Sequence, residues 1–258
     1  MALAVPDFVR RAGALVLDAV LPPQCLACSA TVDAPGRLCA RCWNSLAWIA
    51  APFCARCGTP FEFDPAAGAP ARALTCAPCL ADPPRYDRAR AVLVYDDGAK
   101  RLVLGFKHAD RLHAAPAFGQ WLARAGAELL EDVDIVAPVP LHWLRLARRR
   151  YNQAALLADA LVRAGGAGTV IPDLLLRRRA TASQGHLSRR ERARNVARAF
   201  AVRPRHAARL AGSRVLLVDD VLTTGATVGE CAKVLRDAGA ARVDVVTLAR
   251  VVRPTEIG

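Results

Sequence analysis

No apolar run in the 258-residue sequence approaches the roughly 18 to 20 residues that a membrane-spanning helix needs. We therefore expect no transmembrane segment and a cytoplasmic location. Arg10 and Arg11 precede the apolar stretch Ala12 to Leu21 as in a signal peptide. Asp18 interrupts that stretch, however, no small-residue cleavage site follows, and Pro22-Pro23-Gln24 before Cys25 is unlike a lipoprotein box. Residues 1–22 are expected instead to form a short amphipathic helix with Phe8, Ala12, Leu15 and Ala19 on one face. Also missing is any GxxxxGK followed by Ser or Thr, which excludes a Walker phosphate loop. No Ser-His-Asp or Cys-His set is present, so covalent catalysis has no evident nucleophile. Lysine is scarce, with 3 against 33 arginines.

What remains is a packed globular composition, 53% hydrophobic and 23% charged. The length suits one α/β domain and a small appended module. The charge is concentrated: residues 142–206 carry fifteen Arg and three acids, a surplus of twelve within a net charge of +13. Such a patch raises the local potential and attracts nucleic acid, nucleotides or diphosphates. A coding bias towards arginine on a solvated helix face accounts for it equally well.

Of nine cysteines, eight form four CxxC pairs: Cys25 and Cys28, Cys39 and Cys42, Cys54 and Cys57, Cys76 and Cys79. Ten residues separate the first two pairs and eighteen the last two. Each CxxC turn points two thiolates at one tetrahedral ion, so two four-cysteine zinc sites are expected. Disulfides would need an oxidising compartment, a thioredoxin-like site would need a single pair beside a βαβ unit, and the spacing does not recommend iron–sulfur ligation. Pairing can be sequential or interleaved; the compact first repeat favours sequential. With four protein ligands each, the metals have no open position and are structural. Trp43, Trp48, Phe53, Phe61 and Phe63 lie among the knuckles; an aromatic mini-core is the expected role, ahead of stacking on bases or docking on the main domain. Cys231, with Val228, Ala232 and Leu235, reads as a buried thiol.

From Tyr86 onward apolar runs alternate with helical stretches. Strands are expected at Val92–Tyr95, Val133–Val139, Val170–Leu176, Val215–Val218 and Val243–Leu248, and helices at Leu112–Leu130, Leu144–Arg163 and Thr227–Ala238. This is the pattern of a parallel sheet covered on both faces, where ligands bind at the carboxyl ends of strands. Val215–Val218 leads into Asp219 and Asp220, two carboxylates able to accept hydrogen bonds from vicinal ribose hydroxyls. Thr223, Thr224, Gly225, Ala226 and Thr227 follow as a small-residue turn whose amides and hydroxyls, with the positive end of the next helix, suit a phosphate.

VLLVDDVLTTGAT resembles the signature of type I phosphoribosyltransferases, which bind phosphoribosyl diphosphate (PRPP). The resemblance implies that Asp219 and Asp220 hold the ribose, together with Mg2+, and that Thr223–Thr227 hold the 5-phosphate. The four CxxC pairs, APVPLHWLRLARRRYNQ at Ala137–Gln153 and QGHLSRRERARNVARAF at Gln184–Phe200 narrow it: in this order, along nearly the whole chain, they resemble the ComF family of bacterial competence and DNA-uptake proteins. Pro138, Pro140, Leu141, Asn152 and Gln153 match a PVPL...RGFNQ pattern, with Arg150 where Gly is usual and Tyr151 where Phe is usual. The fold implied is α/β, a type I phosphoribosyltransferase-like parallel sheet with helices on both faces in residues 86–258, preceded by a double zinc ribbon in 23–85. Pro140 and Leu141 are placed where the diphosphate would sit, with Arg148, Arg149 and Arg150 as its candidate contacts or a solvated face. Lys107 has a weaker claim on the same cleft. The Gln184–Asn195 stretch, with Gln184 and Arg192, is a candidate lid.

The chemistry implied is displacement of diphosphate from the anomeric carbon by an acceptor, with Mg2+ and arginine holding the leaving group. His142 beside the diphosphate loop and His186 in the lid could each shuttle a proton, but both are expected to be surface histidines. The candidate partners are PRPP, single-stranded DNA bound by the ribbons and the arginine patch, and an uptake helicase or other competence protein docked on the ribbons.

Overall fold

The computed structural model describes residues 22–61, 74–107, 111–179 and 189–252. The helix expected over residues 1–22 falls outside them in all but its last residue, and Phe63, Gln184 and His186 fall outside them too. Contacts divide the chain into a compact unit ending at Ser45 and another beginning at Leu46.

In the first unit Cys39 caps a five-residue helix, α1 (Ala40–Asn44). In the second, α2 (Ala77–Ala81) completes a cysteine knuckle and the chain enters β1 (Ala89–Val94) and α3 (Asp97–Lys107). There follow α4 (Ala115–Ala125), α5 (Ala127–Leu130), β2 (Ile135–Pro138), α6 (Trp143–Arg149), α7 (Gln153–Arg163) and β3 (Thr169–Val170). The chain ends with β4 (Leu175–Arg177), α8 (Arg189–Val196), β5 (Phe200–Val202), β6 (Arg214–Leu222), α9 (Ala226–Asp237) and β7 (Arg242–Arg250).

Five strands form one parallel sheet in the order β1-β7-β6-β2-β3. Val215–Val218 in β6 and Val243–Ala249 in β7 are buried, as a sheet covered on both faces requires. β4 and β5 pair antiparallel in a separate small sheet. The edge of β1 is covered: Ile49 N donates to Val92 O at 2.9 Å and Val94 N to Ala47 O at 2.8 Å.

Several expected elements divide. Val170–Leu176 is two strands in different sheets, because Pro172 has no amide to continue the ladder and the chain turns there. The helix expected over Leu112–Leu130 is a 3-10 turn followed by α4 and α5, which meet at Gly126. The one expected over Leu144–Arg163 breaks between α6 and α7, where Arg150 adopts a left-handed conformation with φ 64° and Asn152 caps the next helix. The helix α3 was not expected, although Ala99, Leu102, Val103 and Phe106 make an apolar face and Asp96 Oδ1 accepts from Ala99 N at 2.8 Å. Residues 189–195 are helical, so that part of the candidate lid is not a loop; Val196, at its end, is 1% exposed in the core.

Of the aromatic residues among the knuckles, Trp48, Phe53 and Phe61 have different neighbours. Trp48 meets Trp121 of α4 edge-on with centroids 5.2 Å apart, the Arg90 guanidinium lies 4.6 Å over Phe53, and Phe61 packs on the second cysteine cluster. Trp43 is 48% exposed.

Candidate functional site

The eight CxxC cysteines form two groups, Cys25, Cys28, Cys39 and Cys42, and Cys54, Cys57, Cys76 and Cys79, so the pairing is sequential. Within each group the Sγ atoms lie within 4.8 Å of one another. Cys28 to Cys39 and Cys57 to Cys76 are each 3.7 Å apart. A tetrahedron with Zn–S bonds of about 2.3 Å has edges of about 3.8 Å, so both donor sets fit zinc. Backbone amides point at the sulfurs: Cys39 N lies 3.3 Å from Cys25 Sγ and Cys76 N 3.3 Å from Cys54 Sγ. Such donors stabilise thiolates in a structural site.

In the second unit a cavity of 730 Å3 opens over the carboxyl ends of β2 and β6. From β2 the chain moves outward to β3; from β6 it moves the opposite way to β7. The loops leaving β2 and β6 therefore diverge, which makes the crevice between them the ligand position of an open α/β sheet. The strands stay in register to Pro138 opposite Val218, and Val139 N donates to Val218 O at 2.9 Å. Beyond that point β6 continues to pair with β7 as far as Leu222 but has lost β2. Asp219 and Asp220 occupy this half-paired stretch and line the cavity.

Asp219 Oδ1 accepts the amide of Asp220 at 2.9 Å, and Lys107 Nζ lies 2.8 Å from Asp220 Oδ2. Burial pushes Asp219 up to about 7, reinforced by the Asp220 charge; the Asp220 amide, Lys107 and Arg177 pull the other way. The loop after β6 turns at Gly225, whose φ of 77° favours glycine, and α9 begins at Ala226. Thr223, Gly225 and Thr227 line the cavity, whereas Thr224 and Ala226 face a second cavity behind the loop.

The facing wall is the loop after β2. Pro140, Leu141 and Leu144 line the cavity. Asn152 closes the loop, its Nδ2 donating to Val139 O at 3.1 Å and its Oδ1 capping α7 through Ala154 N at 3.1 Å. His142 is 6% exposed, and its Nδ1 accepts from Leu144 N at 3.3 Å. The surface expectation for His142 is thus corrected: the ring caps α6. Arg150 is exposed and does not line the cavity; its left-handed conformation accounts for a turn position where glycine fits more easily. The side chains of Arg148 and Arg149 lie outside the described set. Arg192 sits half-buried on α8 and lines neither cavity.

Tyr95, Gln153 and Arg177 also line the cavity and carry no sequence assignment as ligand contacts. Tyr95 directly follows β1, so the rule that sites form at strand carboxyl ends could have found it. Arg177, whose guanidinium lies 5.3 Å over Phe200, arrives from the separate small sheet and had no local signal. Cys231 is fully buried in α9, as expected, and burial holds its thiol well above the usual range. Among the described residues no helix is long and apolar enough to cross a membrane.

Comparison with known proteins gives two family matches, a double zinc ribbon domain over residues 16–80 and a phosphoribosyl transferase domain over residues 108–256. The DNA utilization protein YhgH of Salmonella typhi is 36% identical over 202 residues, covering 76% of this chain and 83% of that protein. Competence protein F of Haemophilus influenzae is 30% identical over 244 residues, covering 88% and 96%. Among solved structures, one described as the allosteric regulatory enzyme of purine biosynthesis aligns with 56% of this chain and 30% of its own, at 20% identity and a TM-score of 0.38.

Proposed function

Because the chain belongs to the family of competence protein F and the YhgH DNA utilization proteins, with a phosphoribosyl transferase domain and a double zinc ribbon, we propose that it binds PRPP with Mg2+ and transfers the phosphoribosyl group to a base or amine acceptor. It acts in the cytoplasm, in the handling of DNA taken up during natural competence. The supporting observation is the meeting of Asp219, Asp220, Thr223, Gly225 and Thr227 with Pro140 and Leu141 in one cavity at the divergence of β2 and β6.

In this reading the ribose hydroxyls donate to Asp219 and Asp220, and the 5-phosphate accepts from the amides and hydroxyls of the 223–227 turn. The diphosphate lies against the loop of Pro140 and Leu141, with Lys107 and the arginines of α6 supplying cations. Asp219 and Asp220 would hold Mg2+ through their carboxylate oxygens, and the ion would supply charge neutralisation for the diphosphate. The bond from the anomeric carbon to the diphosphate oxygen breaks with its electron pair on diphosphate. The acceptor lone pair forms the new bond, and its proton passes to solvent. No protein nucleophile is needed; the chain positions and neutralises.

The double substitution Asp219→Ala with Asp220→Ala is expected to abolish magnesium-dependent PRPP binding in calorimetry, and unchanged binding would remove the core of the proposal. Diphosphate release with a panel of bases separates a transferase from a protein that only binds PRPP. A second reading rests on Trp143, 65% exposed at the head of the arginine-rich α6, with Leu144 and Leu146 also exposed. An exposed ring on a helix rich in arginine by sequence suits base stacking, which would make the chain a single-stranded DNA handler, with its ribbons docking an uptake helicase or other competence protein. Oligonucleotide affinity should then fall steeply with salt, and Trp143→Ala should lower it.

A further inference from the structure

Behind the phosphate loop lies a second cavity of 500 Å3 whose walls include Cys57, Cys79 and Tyr86 on one side and Thr224 and Gly225 on the other. Tyr86 is 5% exposed. A methyl group on Gly225 would make ordinary contact with the ring, 3.6 Å from Tyr86 Cε1 and 3.8 Å from its Oη, so the ring faces Gly225 about one methyl group away. The residues flanking Tyr86 are anchored. Arg85 pairs with Glu230 of α9 at 2.9 Å, and Asp87 exchanges two 2.8 Å backbone and side-chain bonds with Val243 at the start of β7. On its amino side the chain runs back through Asp82 to Cys79.

A second connection passes through Arg250, which is 4% exposed at the end of β7 and donates to the carbonyl of Cys57. Arg250 stands opposite Leu222, and Val251 N donates to Leu222 O at 2.9 Å. Leu222 is the residue before the phosphate loop. The knuckle of Cys57 and the knuckle of Cys79 thus reach the loop by separate routes, one through Arg250 to Leu222 at its start and one through Tyr86 towards Gly225 at its middle.

We propose that the second tetracysteine site is the brace of the phosphate loop, and that Tyr86 is a positioning residue holding Gly225 in its left-handed conformation against the ligand phosphate. This rests on the reading of the cleft as a ribose 5-phosphate site. With metal bound, the knuckles fix Tyr86 and Arg250 and the loop is ordered before ligand arrives. Without it, the loop must be ordered on binding, at the expense of affinity. By linkage, the phosphate ligand must tighten zinc at this site by the same factor by which zinc tightens the ligand.

The test uses the full chain loaded with zinc at both sites, in equilibrium competition with a chromophoric chelator, with and without saturating ribose 5-phosphate. One zinc should be held at least about fivefold more tightly in the presence of the ligand, while the other is unchanged. Tyr86→Ala should keep both metals, lose this coupling and bind ribose 5-phosphate roughly tenfold more weakly, about 1.4 kcal/mol; Tyr86→Phe should behave as wild type. Should Tyr86→Ala fail to fold, the wild-type competition decides. Wild-type protein that binds ribose 5-phosphate in calorimetry yet holds both zinc ions equally with and without it overturns the brace alone. Wild-type protein that does not bind ribose 5-phosphate overturns the reading of the cleft, and the brace with it.

Discussion

Around Cys25 and around Cys54 the backbone makes the same bonds. Cys25 N donates to Ala30 O at 2.7 Å and Cys54 N to Thr59 O at 2.8 Å; Ser29 N returns to Cys25 O at 3.1 Å as Gly58 N does to Cys54 O at 2.8 Å. Isolated bridges join Gln24 to Thr31 and Phe53 to Pro60. Cys39 and Cys76 then each cap a five-residue helix. The surroundings differ. Cys28 and Cys39 are half-buried, and the ion pair Asp33 with Arg37 nearby has side chains 70% and 62% exposed. All four cysteines of the second site are buried, Ala89 N donates to Arg56 O at 2.6 Å, and Arg90 reaches both Ala55 O at 3.0 Å and the carboxylate of Glu128. One local design serves within the small first unit in one case and as part of the core of the second unit in the other. Metal chemistry is set by local sequence; what the metal supports is set by what packs on it.

The largest difference is expected on removing one ligand from each site. Cys79→Ser should lower the melting temperature of the 46–258 unit by more than about 10 °C, because several kcal/mol of metal-linked stability act on the core there. Cys42→Ser should remove one zinc and move that same transition by less than about 2 °C. Equal shifts in calorimetry, with one zinc lost from each variant by metal analysis, would break the distinction.

A smaller contrast lies at the residue after the second cysteine of each knuckle. Both are left-handed, Ser29 with φ 61° and Gly58 with φ 70°. A Cβ on Gly58 would meet Ala89 O at 2.5 Å, so Gly58→Ala combines backbone strain with a clash against β1 and should cost about 3 kcal/mol in denaturant unfolding. Ser29 is exposed, and Ser29→Gly should stabilise its own unit by up to about 1 kcal/mol. A tolerated Gly58→Ala would mean that the second knuckle is not pressed against the sheet.

A further effect, confined to a pH window, concerns the cleft of the second unit. Asp219 is raised from 3.8 to about 7, so between those values the folded state holds more proton than the unfolded state, and stability falls as pH rises. Asp219→Asn removes the ionisation. It should leave stability nearly unchanged at pH 4 and raise it progressively, with the full gain above pH about 7, while losing PRPP binding. A gain independent of pH in paired melts would show that Asp219 ionises without strain.

Short-range features were legible. The CxxC spacings fix which thiolates share a turn, and hydrophobic run, paired acids, small-residue turn and helix start are contiguous from Val215 to Thr227. Long-range ones were not. Nothing near Trp48 tells that it meets Trp121, and nothing near Arg177 tells that a second small sheet delivers it to the cleft. Arg150 stood out in sequence as the replacement of an expected glycine, and its φ explains that glycine without placing the side chain in the cavity.

The sequence by itself determined the candidate groups: eight thiolates in four turns, two carboxylates beyond a buried strand, and a glycine where the chain must turn left-handed. These depend on bond geometry within a few residues. Tertiary structure alone decided that the knuckles pair sequentially, that one of them is built into the sheet through Arg90, Arg250 and Tyr86, and that the loops after β2 and β6 face each other. Those outcomes depend on which distant surfaces bury one another, and no window of sequence contains both partners.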